Sequence, residues 1–146
     1  MKTGYVAATV VTLIVAAVAT GLYLANAQYR RPRAEAADAV RTEAHQILDA
    51  LNQDPAARDP DPRRAEAAAK RHLGTDQVFG EETRADGYTV SRWFSTDWYV
   101  GPAPHEVVLC VAFVGQRGTP LVAEDRNCPP NAGTDPGNEE YVKLSD

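Results

Sequence analysis

Asp97, His105 and Glu106 are the side chains best suited by type and spacing to acid–base chemistry. A histidine beside a carboxylate can relay a proton, and with a serine such a set makes a nucleophilic triad. The pattern goes no further. His105-Glu106 is not continued into HExxH, and neither GxSxG nor a phosphate-cradling glycine loop occurs. His45 and His72 fall on separate predicted helices. Cys110 and Cys128 make no CxxC and no Cys/His group with zinc spacing. The expectation is therefore a protein without catalytic residues, metal or cofactor.

A denser feature is "WFSTDWYVGPAPH", Trp93–His105, which gathers both tryptophans with Phe94 and Tyr99 before a Gly-Pro-Ala-Pro turn. Trp93, Trp98, Tyr99 and His105 read as a binding surface if exposed, because aromatics on a rigid loop make good anchors. In a chain this poor in large apolar residues, Trp93, Trp98 and Tyr99 read more readily as core between a helix and a sheet.

The elements that must hold this patch begin with a marked change of composition. From Met1 to Ala27 the only charged side chain is Lys2, and all 20 acidic residues lie after Arg33. The whole chain carries a net charge of −5, and the part after Ala27 is more acidic still. That excess argues against nucleic acid as a partner and against docking on anionic lipid by surface charge. The preference for Arg over Lys, with abundant Ala, resembles a high-GC bacterial composition.

Tyr5–Ala25 is an uncharged run of about 31 Å as a helix, the thickness of a bilayer's hydrocarbon core. Two outcomes are open. Ala25-Asn26-Ala27 fits an A-x-A cleavage site, with Ala25 and Ala27 at the small-residue positions. Leu22-Tyr23-Leu24, however, is too apolar for the segment before a cut. Tyr23, Tyr29, Arg30 and Arg31 suit a membrane exit, the tyrosines as interfacial aromatics and the arginines as a stop. We expect a retained anchor, residues 1–27, with the following domain outside the cell membrane. A short N-terminal tail and the cysteine pair favour that orientation, although the three arginines 30, 31 and 33 favour the reverse. Ala8, Thr12, Ala16 and Thr20, and likewise Ala17, Gly21 and Ala25, recur every four residues. Such rows let membrane helices approach closely, so self-association through the span is one expected partnership.

Pro32 is expected to break the helix. A second helix, Arg33–Asn52, then turns Ala36, Val40, Ala44, Ile47, Leu48 and Leu51 to one side. Residues 28–60 form this neck and a Pro/Asp linker. Asp61-Pro62 starts the next helix and Gly74 ends it, with Glu66 and Lys70 as an i,i+4 pair. Residues 61–128 complete the core with strands: a hairpin at Asp86-Gly87, a central strand in "HEVVLCVAFVG", a turn at Gln116–Thr119 and a return through "PLVAEDRNC". Residues 129–146 are a Pro/Gly/acidic tail, mostly loosely ordered, in which Tyr141–Leu144 can add an edge strand. The fold class is α+β: an N-terminal membrane helix, two helices, then a roughly four-stranded antiparallel sheet.

An even cysteine pair in an exported domain predicts a Cys110–Cys128 disulfide, worth about 3 kcal/mol for a loop of this size. A turn centred near Arg117 sets Cys110 opposite Glu124. The bond then needs a bulge, or Cys128 folding back past its strand.

The plan of the chain resembles type IV pilins and pseudopilins. Lys2, Gly4 and Tyr5 are similar to that family's basic leader, terminal glycine and first aromatic residue, and Cys110/Cys128 to its late disulfide. Where the family has a glutamate, this chain has Thr9. The resemblance implies cleavage after Gly4 and assembly into a filament. A looser layout is similar to small actinobacterial envelope proteins with one span, a helical neck and a cystatin- or NTF2-like sheet. The leading expectation is a single-pass envelope protein whose outer domain binds or scaffolds a protein partner. Alternatives are a secreted effector or inhibitor released after Ala27, and a pilin-like subunit.

Overall fold

The computed structural model describes residues 3–134 and 137–145, with the side chains of the first helix described from Ile14 onward. Helix α1 runs unbroken over Thr3–Gln53, with Pro32 inside it. This corrects the expected break. A proline in a helix interior costs about 3 kcal/mol in isolation. Here the chain is packed on both sides of it, by Tyr29 before and by Ala36, Ala37 and Val40 after. The carbonyl that loses its donor belongs to exposed Gln28, where water can meet it.

The Pro/Asp segment is built rather than slack. Asp54 caps a 3₁₀ turn over Pro55–Arg58 by accepting from the Ala56 N–H at 2.8 Å. Asp61 then caps α2, Pro62–Leu73, by accepting from the Arg63 N–H at 3.0 Å, and Gly74 ends it at φ 70°. Glu66 and Lys70 do not pair with each other as expected. Lys70 reaches Glu81 at 2.8 Å, and Glu66 accepts the Thr83 hydroxyl, so both side chains tie α2 to the first strand.

The strands are β1 (Val78–Thr83), β2 (Gly87–Val100), β3 (Ala103–Gln116), β4 (Val122–Asp125) and β5 (Glu139–Val142). β1, β2, β3 and β4 pair antiparallel in that order. The fold is thus α+β, helices packed on a largely antiparallel sheet. The β1–β2 hairpin forms, but its loop is Ala85-Asp86, closed by Arg84 N–H donating to Gly87 O at 2.8 Å. Gly87 serves a different need than a turn. A Cβ there would sit 2.2 Å from the Gly115 carbonyl on β3.

β3 is central, paired with β2 along its whole length. Its other edge is shared. β4 covers Val111–Val114, and β5 covers Glu106–Leu109 in parallel orientation. The expected edge strand therefore exists, two residues early and parallel.

Alternation along β2 and β3 gives the sheet two buried faces. Val90, Phe94, Trp98, Val107, Leu109, Val111 and Phe113 meet α1 and α2 on one. The helices present mostly alanine there, with Ala44, Ala68 and Ala69 wholly covered, so their backbones lie close to the strands. On the opposite face, Val108 and Cys110 pack with Ala132, Phe79, Trp93 and Cys128. The tail crosses this second face instead of hanging loose.

Among the described residues, no helix is long and apolar enough to cross a membrane. Residues 5–13 of the expected span, Ala8 and Thr12 among them, lie outside the described side chains.

Candidate functional site

The aromatic patch does not form one surface. Trp98 and His105 are cross-strand partners on the helix-facing side, stacked with ring centroids 4.7 Å apart. Tyr29 of α1 meets Trp98 edge-on at 5.1 Å. Trp98 is 4% exposed, and its indole N–H has no acceptor. Trp93 and Tyr99 project from the other face. Trp93 is half-buried beside the disulfide, while Tyr99 is 58% exposed.

The same alternation separates the acid–base residues. Asp97 and Glu106 are paired across β2 and β3 on the second face, and His105 lies on the first. No relay joins them. Glu106 is 1% exposed and works as a clamp: it accepts from the Thr134 N–H at 2.7 Å and from the Thr134 hydroxyl at 3.2 Å. Gly133, at φ 93°, makes room, because a Cβ would come within 2.9 Å of the Glu106 carboxylate.

Cys110 and Cys128 are bonded, with Cα atoms 5.4 Å apart. Val111 pairs with Asp125, and the Arg126 N–H donates to Cys110 O, so Cys110 stands opposite Arg126 rather than Glu124. Cys128 reaches it by folding back beyond the end of β4, one of the two routes expected.

An ionic cluster joins the tail to α1 beside the aromatic stack. Arg33 forks onto Glu140 of β5, its Nε 2.7 Å from each carboxylate oxygen. The hydrogen bond from Arg33 holds the Glu140 carboxyl below the usual range; burial opposes it, and the charge of Arg33 adds to the lowering. Arg41 donates to the Lys143 carbonyl at 2.8 Å. Further along α1, Asn52 both donates to Leu121 O at 3.1 Å and accepts Leu121 N–H at 2.8 Å. These partners are 107, 102 and 69 residues apart, and no local pattern announces them. Glu106 did carry a signal, as the one acid inside the apolar run of β3.

A crevice between Ala57, Tyr88 and Leu121 holds about 20 Å³, room for one water. Tyr88 donates to the Ala57 carbonyl at its edge at 3.0 Å, and burial pushes the Tyr88 phenol up to about 12. Among the described residues no group of His, Cys, Asp or Glu is arranged to hold a metal ion.

At the far end, α1 leaves the domain. Ile14, Val15, Val18, Leu22, Tyr23 and Leu24 are all exposed. Ala25 is also exposed, Ala27 is partly covered, and Arg30 and Arg31 point to solvent. No protein-family model, curated protein or solved structure matches this chain.

Proposed function

We propose that this chain is a single-pass, membrane-anchored extracytoplasmic protein of a bacterial envelope, whose outer α+β domain binds or scaffolds a protein partner without catalysis. The observation that carries the reading is the exposed apolar stretch of α1 from Ile14 to Asn26, continuous with the helix that builds the domain core. Large apolar side chains clustered on a projecting helix call for cover by lipid or by other helices. Thr20 turns its hydroxyl onto the Ala16 carbonyl at 2.8 Å, which satisfies it inside the helix as an apolar surrounding requires. The Cys110–Cys128 bond suits an oxidising compartment. Tyr23, Tyr29, Arg30 and Arg31 then form the membrane exit.

A second reading, a pilin- or pseudopilin-like subunit, is favoured by one specific observation. One long N-terminal helix lays its second half on the sheet, which suits a subunit of that plan, although Pro32 comes later than in the family.

Intact mass and N-terminal sequencing of the protein from native cells, with and without thiol alkylation, test these readings. A chain retaining residues 1–27 in the membrane fraction supports the anchor. A new N-terminus at Gln28 overturns it in favour of a secreted effector, and one at Tyr5 favours the pilin-like subunit. Two alkylated thiols would defeat an oxidising location.

A further inference from the structure

We infer that the β2–β3 hairpin tip, Tyr99–Pro104, is a second membrane contact that dips into the lipid interface beside the anchor helix. The inference rests on the anchor reading proposed above.

α1 and β2 run antiparallel along each other, held at two places: Tyr29 on Trp98, and Glu43 on Arg92. The spacings agree. Fourteen helical residues rise about 21 Å and six strand residues about 20 Å, so the two axes advance together. Three residues past Trp98, at Gly101, the strand has gone about 10 Å further. On the helix that distance is about seven residues before Tyr29, the level of Leu22 and Tyr23. The expected span ends at Ala25. The tip thus lies about 5 Å inside it, the depth at which interfacial elements settle. Ala27 is the first described residue of α1 to lose part of its exposure, while Leu22, Tyr23 and Leu24 stay exposed, so the tip stands beside the helix at that level without packing on it.

The chemistry of the tip fits that depth. "WYVGPAP", Trp98–Pro104, carries no charge and is bounded by Asp97 and His105. Gly101 takes φ 59° at the first position of the two-residue loop Gly101-Pro102, the positive φ that a type II′ hairpin places there. Proline at the second position removes one N–H that lipid could not satisfy. Tyr99, Pro102, Ala103 and Pro104 are exposed. Tyr99 joins Tyr23 and Tyr29 as interfacial aromatics, and Arg30 and Arg31 stand at headgroup height. The contact is apolar insertion, not charge attraction, so it needs no anionic lipid.

Single cysteines at Ala103 in the tip, at Val15 in α1 and at Ala85 in the far β1–β2 loop test it. Each full-length variant, with its disulfide intact, is nitroxide-labelled and reconstituted in phosphatidylcholine vesicles. Collision with oxygen and with an aqueous nickel chelate reports depth. The expected order is Val15 deepest, Ala103 several-fold richer in oxygen than in nickel collisions relative to Ala85, and Ala85 fully aqueous. A label at Pro102 should match Ala103, guarding against a local effect of one substitution. If the Val15 label is buried but Ala103 and Pro102 behave like Ala85, the hairpin contact is overturned and the anchor stands. If the Val15 label is aqueous, the anchor reading falls and takes the hairpin contact with it.

Discussion

Trp98 and His105 stack across β2 and β3 at 4.7 Å, and Tyr29 closes on Trp98 from α1, so one indole fixes where the long helix parts from the sheet. Truncating Trp98 to Ala should cost about 3–5 kcal/mol, the usual loss for a buried aromatic. Trp98→Phe should cost much less, because the indole N–H it removes has no partner to lose. Denaturant unfolding monitored by circular dichroism decides; equal losses would mean that a phenyl ring cannot fill the place of the indole against Tyr29 and His105.

Replacing both Cys110 and Cys128 with Ala, or reducing the bond, should lower stability by about 3 kcal/mol. Thermal melts with and without reductant measure it. An unchanged melting temperature would show that the bond adds nothing to the crossing of the tail over the second face.

Gly133→Ala should destabilise the tail by about 1–3 kcal/mol. The position needs φ 93°, and the new methyl would press on the Glu106 carboxylate. Hydrogen exchange at the Thr134 amide should speed up, since that N–H is held by Glu106. Unaltered exchange would remove Glu106 from its clamping role.

Glu140 and Asp54 are two of the carboxylates that contribute to the acid limb of stability. Arg33 holds Glu140 below its ordinary range, and a hydrogen bond from His72 does the same for Asp54. A carboxylate depressed in the folded state contributes stability above its unfolded pKa and loses it as pH falls through the folded value. Unfolding free energy should therefore drop on acidification through and below the ordinary carboxylate range. Glu140→Gln should be less stable at neutral pH and show a flatter acid limb. A pH profile identical to that of the native chain would rule out the Arg33–Glu140 pair as a contributor.

A chain starting at Gln28 should keep the fold of the domain, because among the described residues α1 makes its first aromatic contact with the sheet at Tyr29. A melt of this truncated chain should show a cooperative transition. Loss of that transition would mean that the first 27 residues take part in folding.

Local chemistry made several elements legible in advance. Asp61, Pro62 and Gly74 delimit α2 because caps act on adjacent backbone groups. Ala36, Val40, Ala44 and Leu51 share a buried face because helical period is a local property. The apolar run of β3 marked the central strand. Pro32 misled for the opposite reason: its local cost is outweighed by packing on both sides. Glu66 and Lys70 misled likewise, since β1 offers each a partner that an isolated helix lacks.

By itself, then, the sequence determined the class of the fold, the cysteine pair, the uncharged N-terminal run and the absence of known catalytic motifs, all properties of residue type and short-range spacing. Only the tertiary structure decided which face each aromatic takes, that the tail returns as a parallel strand, and that Arg33 meets Glu140. Strand alternation turns neighbours in sequence to opposite sides, and pairing across more than a hundred residues depends on register that no single segment contains.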